Sequence, residues 1–337
     1  MSPNLKTRDL KTQDLKQKII EQVTPDLEKV EVALEHNLKP NLELVKKIAT
    51  HLLFSGGKRL RPLLMIHCAR LCGYHHGFEI EFSVLFEYLH AATLLHDDVV
   101  DEADIRRGKK AAHTKWSTPK VVLTGDFLLA SALDIAARTK EPGIISIIAK
   151  ITRDMSEGEI EQLDKKGKLD LCEKEYLEII RRKTAVLIQG ACESGAILAK
   201  ADKDKQKALQ QYGFNIGMAF QMADDLLDYT ANAKELGKNP GADIREGKLT
   251  LPLIYSLANA SLQDKKWMED AITSTSFSPG VFGELKEKLY AYKGIEYTEK
   301  RALNHVKKAK ACLDIFHDGQ SKKLLCQIAD YSIERKV

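Results

Sequence analysis

No run of apolar residues in this chain approaches the roughly 20 needed to cross a bilayer; Gly143 to Ala149 and Ala185 to Ile188 are among the longest. A membrane-spanning helix is therefore not expected. Met1 to Lys18 alternates Lys, Asp, Gln and Leu without an apolar core or a small-residue cleavage site, which excludes a secretory signal and predicts a cytoplasmic address. An excess of one charge is also missing. With 52 Lys and Arg against 48 Asp and Glu, the net charge is +4 over 337 residues, so nothing demands nucleic acid as a partner. None of the six cysteines stands in CxxC spacing. Cys68 and Cys72, near His67 and His75, lie among Leu64, Ile66 and Leu71, and read as buried packing rather than a zinc site.

Strand signals are scarce too. Apolar residues recur at three-and-four spacing from Leu27 onward, which predicts an all-α helical bundle. No Pro-, Gly- or Ser-rich linker divides the chain, so a single domain over 1–337 is expected, with its motif-bearing core at about 40–260 and a more variable helical part at about 261–337. Breakers fall at Gly56-Gly57, Gly73 to Gly77, Gly108, Gly167, Gly213, Gly237 to Gly247 and Ser276 to Gly280. Thr118-Pro119 predicts an N-cap followed by proline at the first helical position. Asp170 with Glu173 has capping-box spacing. Lys265 to Lys300, more polar and less regular, reads as a peripheral helical insertion.

The informative segment is Leu94-Leu95-His96-Asp97-Asp98-Val99-Val100-Asp101. On a helix, Asp97 and Asp101 share a face and Asp98 lies three before Asp101, so three carboxylates are expected to converge. Like charges at that spacing need a counter-ion. Hard oxygen ligands suit magnesium, which keeps waters and takes further ligands from substrate phosphates. A second cluster, Asp224-Asp225-Leu226-Leu227-Asp228, repeats the D-D-x-x-D spacing. Two such faces can oppose each other at the mouth of an apolar cavity.

Cationic residues accompany them. Gly56-Gly57-Lys58-Arg59-Leu60-Arg61-Pro62 is a loop entering a helix, with Lys58 and Arg61 three apart. Arg106 and Arg107 follow the first cluster, Lys183-Thr184 sits among apolar neighbours, and Lys238 and Lys248 flank the loop after the second. Any one basic pair is usually a solvated surface; the combination with two acidic clusters fits a diphosphate.

Together GGKRLRP, LLHDDVVDEADIRRG, LTGDFLL, GEIEQL, RKTAVLI, GMAFQMADDLLDY and GKNPGADIREGKLTLP, in this order, resemble the trans-polyprenyl diphosphate synthases, most closely from about Gly56 to Leu253. The resemblance implies the isoprenoid synthase type I fold, helices around a deep apolar cavity, three magnesium ions and a homodimer. It implies that Asp97, Asp101 and Asp224 are magnesium ligands, with Asp98, Asp225 and Asp228 completing the catalytic acid motifs. Arg106, Lys183, Thr184, Gln221, Lys238 and Lys248 correspond to residues that grip the allylic diphosphate or its metals, Lys183 also serving catalysis. Lys58, Arg61, His90 and Arg107 correspond to the isopentenyl diphosphate site. The departed diphosphate is the family's base for the final proton, so no dedicated catalytic base is expected.

Product length is expected to follow the helix before Asp97. Ala92 and Thr93 are small where bulky aromatics stop short products in the family, which implies a heptaprenyl to decaprenyl product, octaprenyl foremost, for quinone side chains. Tyr88 and Leu89 form the next turn, and sequence alone leaves the face taken by Tyr88 open. Alternatives are a farnesyl or geranylgeranyl diphosphate synthase, a partner subunit of a heteromeric synthase, or a terpene cyclase. The two intact acidic motifs argue against the partner subunit. A cyclase has no need for an isopentenyl grip.

Overall fold

The structure, a computed structural model, describes residues 3–231, 241–274 and 278–334, with side chains from residue 12 onward. Among these residues its regular structure is helical apart from one antiparallel hairpin of two-residue strands, Ile105–Arg106 with Lys109–Lys110. No described helix is long and apolar enough to cross a membrane. The chain forms two compact units interleaved in sequence: residues 1–152, 187–213 and 313–327, and residues 153–186, 214–312 and 328–337.

The first unit contains α1 (Pro3–Asn37), α2 (Glu43–Leu53), α3 (Leu60–Leu71), α4 (Phe78–Val100), α5 (Ala112–Trp116) and α6 (Thr118–Arg138). From Phe82 to Leu89 every residue of α4 is buried. A helix apolar on all sides belongs at the centre of a bundle, and α4 packs against α1, α2, α3 and α6. On α1, Val23, Val30 and Leu34 supply the buried stripe. Gly213 does not break a helix, contrary to the sequence reading: it lies inside α10 (Lys203–Thr230), after α7 (Pro142–Lys165), α8 (Glu173–Ile180) and α9 (Val186–Leu198). A Cβ there would stand 2.8 Å from the Ile188 carbonyl oxygen, so glycine lets two helices approach closely.

The second unit is built around Tyr176, Met218, Met222, Tyr229, Leu251 and Leu253. Three helices, Leu262–Thr273, Pro279–Ala291 and Gly294–Cys312, cover most of the segment read as a peripheral insertion. That reading is corrected. Met268, Leu285, Leu289 and Ile295 are buried in the same core, and their charged faces hid a sparse apolar stripe.

Two caps also differ from expectation. Helix α6 is preceded by Ser117 in a positive-φ conformation, with no side-chain cap, and Thr118 is its first residue. The capping box of α8 joins Cys172 and Glu175, whose carboxylate accepts from the Cys172 N–H at 3.0 Å, instead of Asp170 and Glu173. Glu173 is occupied elsewhere, accepting from the Tyr297 hydroxyl at 2.8 Å.

Candidate active site

In the first unit the acidic motif closes the C-terminal end of α4. Asp98 is 1% exposed, and its Oδ1 accepts from Arg106 Nε at 2.6 Å and also pairs with Nη2. The expectation that Asp97, Asp98 and Asp101 converge is therefore corrected. Among the described residues no three acid, His or Cys side chains are arranged to hold a metal. Asp97 and Asp101 are half-buried.

The hairpin explains how two adjacent arginines do different things. Arg106 is the last residue of one strand, and Arg107 and Gly108 turn the chain with φ of 51° and 73°. The positive angles suit a tight two-residue connection. Arg106 thereby reaches Asp98, while Arg107 donates to the Gly56 carbonyl of the loop before α3.

Around that loop the cations gather. Burial pushes the Arg61 guanidinium below its ordinary value, against the pull of Glu87, and Arg107 pushes the same way as burial. Burial, followed by Arg61, Arg107, Arg106 and Arg59, holds His90 well below the usual histidine range, so its imidazole is neutral at physiological pH. Thus Arg61, His90 and Arg107 are brought together; Lys58 is exposed in the loop.

Sequence reasoning missed the residue at the centre of this arrangement. Arg59, 4% exposed at φ 46°, donates to Glu31 Oε1 at 2.6 Å, Glu87 Oε2 at 3.1 Å and the Leu53 carbonyl at 2.7 Å. It ties the loop to α1, α4 and α2. The buried Glu87 is the counter-ion of the cation group; a charged residue inside the apolar run Phe82 to Leu89 was the signal available for it.

Along α4, Ala92 is buried, and Thr93 Oγ1 donates to the His90 carbonyl at 2.9 Å. Tyr88 donates its hydroxyl to the Leu34 carbonyl at 2.6 Å and therefore faces α1.

In the second unit the three aspartates of α10 have three environments. Asp224 is exposed. Asp225 is buried and accepts from Tyr176 Oη at 2.5 Å and Gln221 Nε2 at 2.8 Å. Burial, then the Asp243 carboxylate, pushes its carboxyl up to about 8. Asp228, 1% exposed, accepts from the backbone N–H groups of Ala242 and Asp243 at 3.0 Å each, holding the start of the helix Ala242–Arg245.

Lys183 and Thr184 lie on a π-helical turn, Arg181–Ala185, that periodicity did not predict. Arg181 pairs with Asp154 and Glu178, and Arg182 with Glu157 and Glu178, clamping the turn. Lys183 Nζ lies 2.6 Å from Glu159 of the GEIEQL motif, and Thr184 Oγ1 donates to Gln221 Oε1 at 2.7 Å. Lys248 Nζ lies 2.6 Å from Glu246. Tyr176, Lys183, Thr184, Gln221, Asp225 and Lys248 line one cleft of this unit. Lys238 lies outside the described residues.

Each unit thus presents carboxylate oxygens beside fixed cations, the donor set for a metal-bound polyphosphate. Residues 42–289 match the Polyprenyl synthetase family model. The chain is 34% identical over 331 residues to an octaprenyl diphosphate synthase of Haemophilus influenzae, covering 98% of this chain and 99% of that one. It is 33% identical over 298 residues to a short chain isoprenyl diphosphate synthase of Methanothermobacter thermautotrophicus, covering 87% and 91%. Its fold is similar, at a TM-score of 0.89 and 37% identity, to a crystal structure of polyprenyl synthase from Caulobacter crescentus complexed with calcium and isoprenyl diphosphate, covering 95% of this chain and 98% of that one.

Proposed function

From the premise that the chain belongs to the polyprenyl synthetase family and is a trans-prenyl diphosphate synthase, we propose that it adds isopentenyl diphosphate repeatedly to an allylic diphosphate of the farnesyl or geranylgeranyl type, making a long-chain all-trans polyprenyl diphosphate, octaprenyl foremost, for quinone side chains. One observation carries the reading. The first unit keeps two separate anion-handling groups on α4 and its neighbours: Asp97 and Asp101 beside the Asp98–Arg106 pair, and Arg61, His90 and Arg107 around Glu87. Cyclisation of one diphosphate needs a single such group, whereas chain extension must hold two.

Asp97, Asp101 and Asp224 carry the hard carboxylate oxygens that suit magnesium, Asp97 and Asp101 half-buried at the end of α4 and Asp224 exposed on α10, and the family resemblance assigns them as its ligands. Asp98 is taken by Arg106, and Asp228 by the backbone of Ala242 and Asp243. Three ions are expected by analogy with the family. The chemistry such ions supply is neutralisation of the charge that develops on the leaving diphosphate. The family resemblance assigns Arg106 in the first unit, and Lys183, Thr184, Gln221, Lys238 and Lys248, to that diphosphate or its metals, and Lys183 would leave Glu159 to serve there. Lys58, Arg61, His90 and Arg107 orient isopentenyl diphosphate, with neutral His90 acting as a hydrogen-bonding group.

In the reaction, the allylic carbon–oxygen bond breaks with its electron pair on the diphosphate. The double bond of isopentenyl diphosphate then forms the new carbon–carbon bond. The proton lost afterwards goes to the released diphosphate. Apolar walls must keep water from the cation during this sequence.

The small Ala92 and Thr93 support a long product. A homodimer is expected by analogy with the family. Chromatographic analysis of the products from labelled isopentenyl diphosphate with each allylic primer tests the proposal. Products that end at farnesyl or geranylgeranyl diphosphate support the short-chain alternative. Turnover only after a second polypeptide is added supports a heteromeric enzyme.

A further inference from the structure

The LTGDFLL segment on α6 has no part in the metal or diphosphate groups described above. In the structure its glycine meets His96, the residue immediately before Asp97. A Cβ on Gly125 would stand 2.3 Å from His96 Nε2 and 2.7 Å from Cδ2, closer than any real contact. The imidazole is seated in the notch that the missing side chain leaves. Its Nε2 donates to the Val122 carbonyl at 3.1 Å and lies 3.5 Å from Asp126 Oδ1. One turn of α6, residues 122, 125 and 126, thus meets the Nε2 end of the ring.

The placement matters because α4 ends only four residues later, at Val100. The last turn of a helix frays unless it is tied down. Successive residues are about 100° apart around a helix, so His96 and Asp98 flank Asp97 on either side. Asp98 is tied to Arg106 and His96 to α6, leaving Asp97 between two anchors.

We infer that His96, seated against Gly125, is a positioning residue that sets the bearing of the Asp97 carboxylate toward the metal. The inference rests on the reading of Asp97 as a metal ligand. Residues that orient ligands in this indirect way typically contribute roughly 10–100-fold in metal affinity.

The test is binding of Mn2+ to the full chain, followed by electron paramagnetic resonance, with an allylic thiolodiphosphate present that cannot ionise. His96→Ala and Gly125→Ala should each raise the Mn2+ dissociation constant by about tenfold or more, with helical circular dichroism unchanged. The double variant removes both the ring and the clash, so it should bind no more weakly than the worse single variant. Should Gly125→Ala fail to fold, His96→Ala and the double variant decide. Wild-type binding in His96→Ala, or losses that add in the double variant, overturns the inference. Asp97→Ala separates the two levels: undiminished binding there overturns the metal-site reading and this inference with it. A defective Asp97→Ala beside a normal His96→Ala overturns the inference alone.

Discussion

Arg106 reaches back eight residues to donate its Nε to Asp98 Oδ1 at 2.6 Å, so the middle carboxylate of the first motif is neutralised by protein rather than left for metal. Asp97 and Asp101, half-buried on either side of it, are the carboxylates proposed for the metal, which divides one acidic cluster into two roles.

This division predicts unequal mutants. Asp97→Ala removes a proposed ligand and should lower turnover by several powers of ten, each factor of ten being about 1.36 kcal/mol of lost transition-state stabilisation. Asp98→Asn keeps the shape but loses the charge-assisted bond, and should lower turnover roughly 10–100-fold, as indirect supports of metal sites do. Asp98→Asn combined with Arg106→Met should be no worse than the poorer single variant, because both remove one interaction. Steady-state kinetics over a magnesium series measures this; additive losses would assign Arg106 and Asp98 independent tasks.

Arg59 and Arg61, two residues apart, should fail differently. Arg59→Met removes the arginine hydrogen-bonded to buried Glu87 and leaves Arg61 and Arg107 to offset its charge, so it should lower stability by no more than the roughly 3–5 kcal/mol of a fully broken buried pair, and it frees the loop that carries Lys58. Arg61→Ala should keep the fold and raise the Michaelis constant for isopentenyl diphosphate more than that for the allylic substrate. Urea unfolding together with substrate-by-substrate kinetics distinguishes the two. Equal effects of Arg61→Ala on both substrates would argue against a separate isopentenyl site.

His305 supplies a pH dependence. It is buried on the helix Gly294–Cys312 with Nδ1 2.8 Å from Asn215 Oδ1, and burial first, then Lys308 and Arg301, pushes it down to about 4. Unfolded, it titrates near 6.5. Between these values the unfolded state binds more protons, so the contribution is complete above 6.5 and is lost as pH falls toward 4. At about 1.36 kcal/mol per pH unit the loss sums to about 3 kcal/mol. Urea midpoints between pH 7 and 4.5 should fall less steeply in His305→Gln than in the wild type; parallel curves would exclude this histidine as a cause.

The helical class was legible because its periodicity is local, and so was the spacing of four residues that places Asp97 and Asp101 on one helical face wherever the helix lies. What escaped depends on distant partners. Nothing local in GGKRLRP says that Arg59 turns inward to Glu31 and Glu87 while Arg61 faces the cation group. The π-helical turn at Arg181–Ala185 is held by acids on another helix, and periodicity has no symbol for it. Gly213 looked like a breaker because a glycine serving a close helix crossing and one ending a helix are identical in sequence. Lys265 to Lys300 looked peripheral because its buried residues are few, although each is fully used.

Chain length is the remaining test, and α4 carries it. Thr93 lies four residues before Asp97, one helical turn or about 5.4 Å back along the same face. Ala92 lies beside it, and both are small. Tyr88, the aromatic of the preceding turn, is nine residues from Asp97 and so about half a turn away around the helix, and its hydroxyl is committed to Leu34 of α1. It therefore does not crowd the face that Asp97 and Thr93 share. Thr93→Tyr and Ala92→Tyr should each shift products toward shorter chains while leaving the first condensation intact. Ala92 is 4% exposed, so its substitution should also cost about 1–3 kcal/mol from overpacking; thermal melting separates that loss from the change in product. Chromatography with saturating isopentenyl diphosphate reads the lengths. Unchanged products in both variants would place the floor on another helix, and a wild type that already stops at farnesyl or geranylgeranyl diphosphate would overturn the long-chain reading.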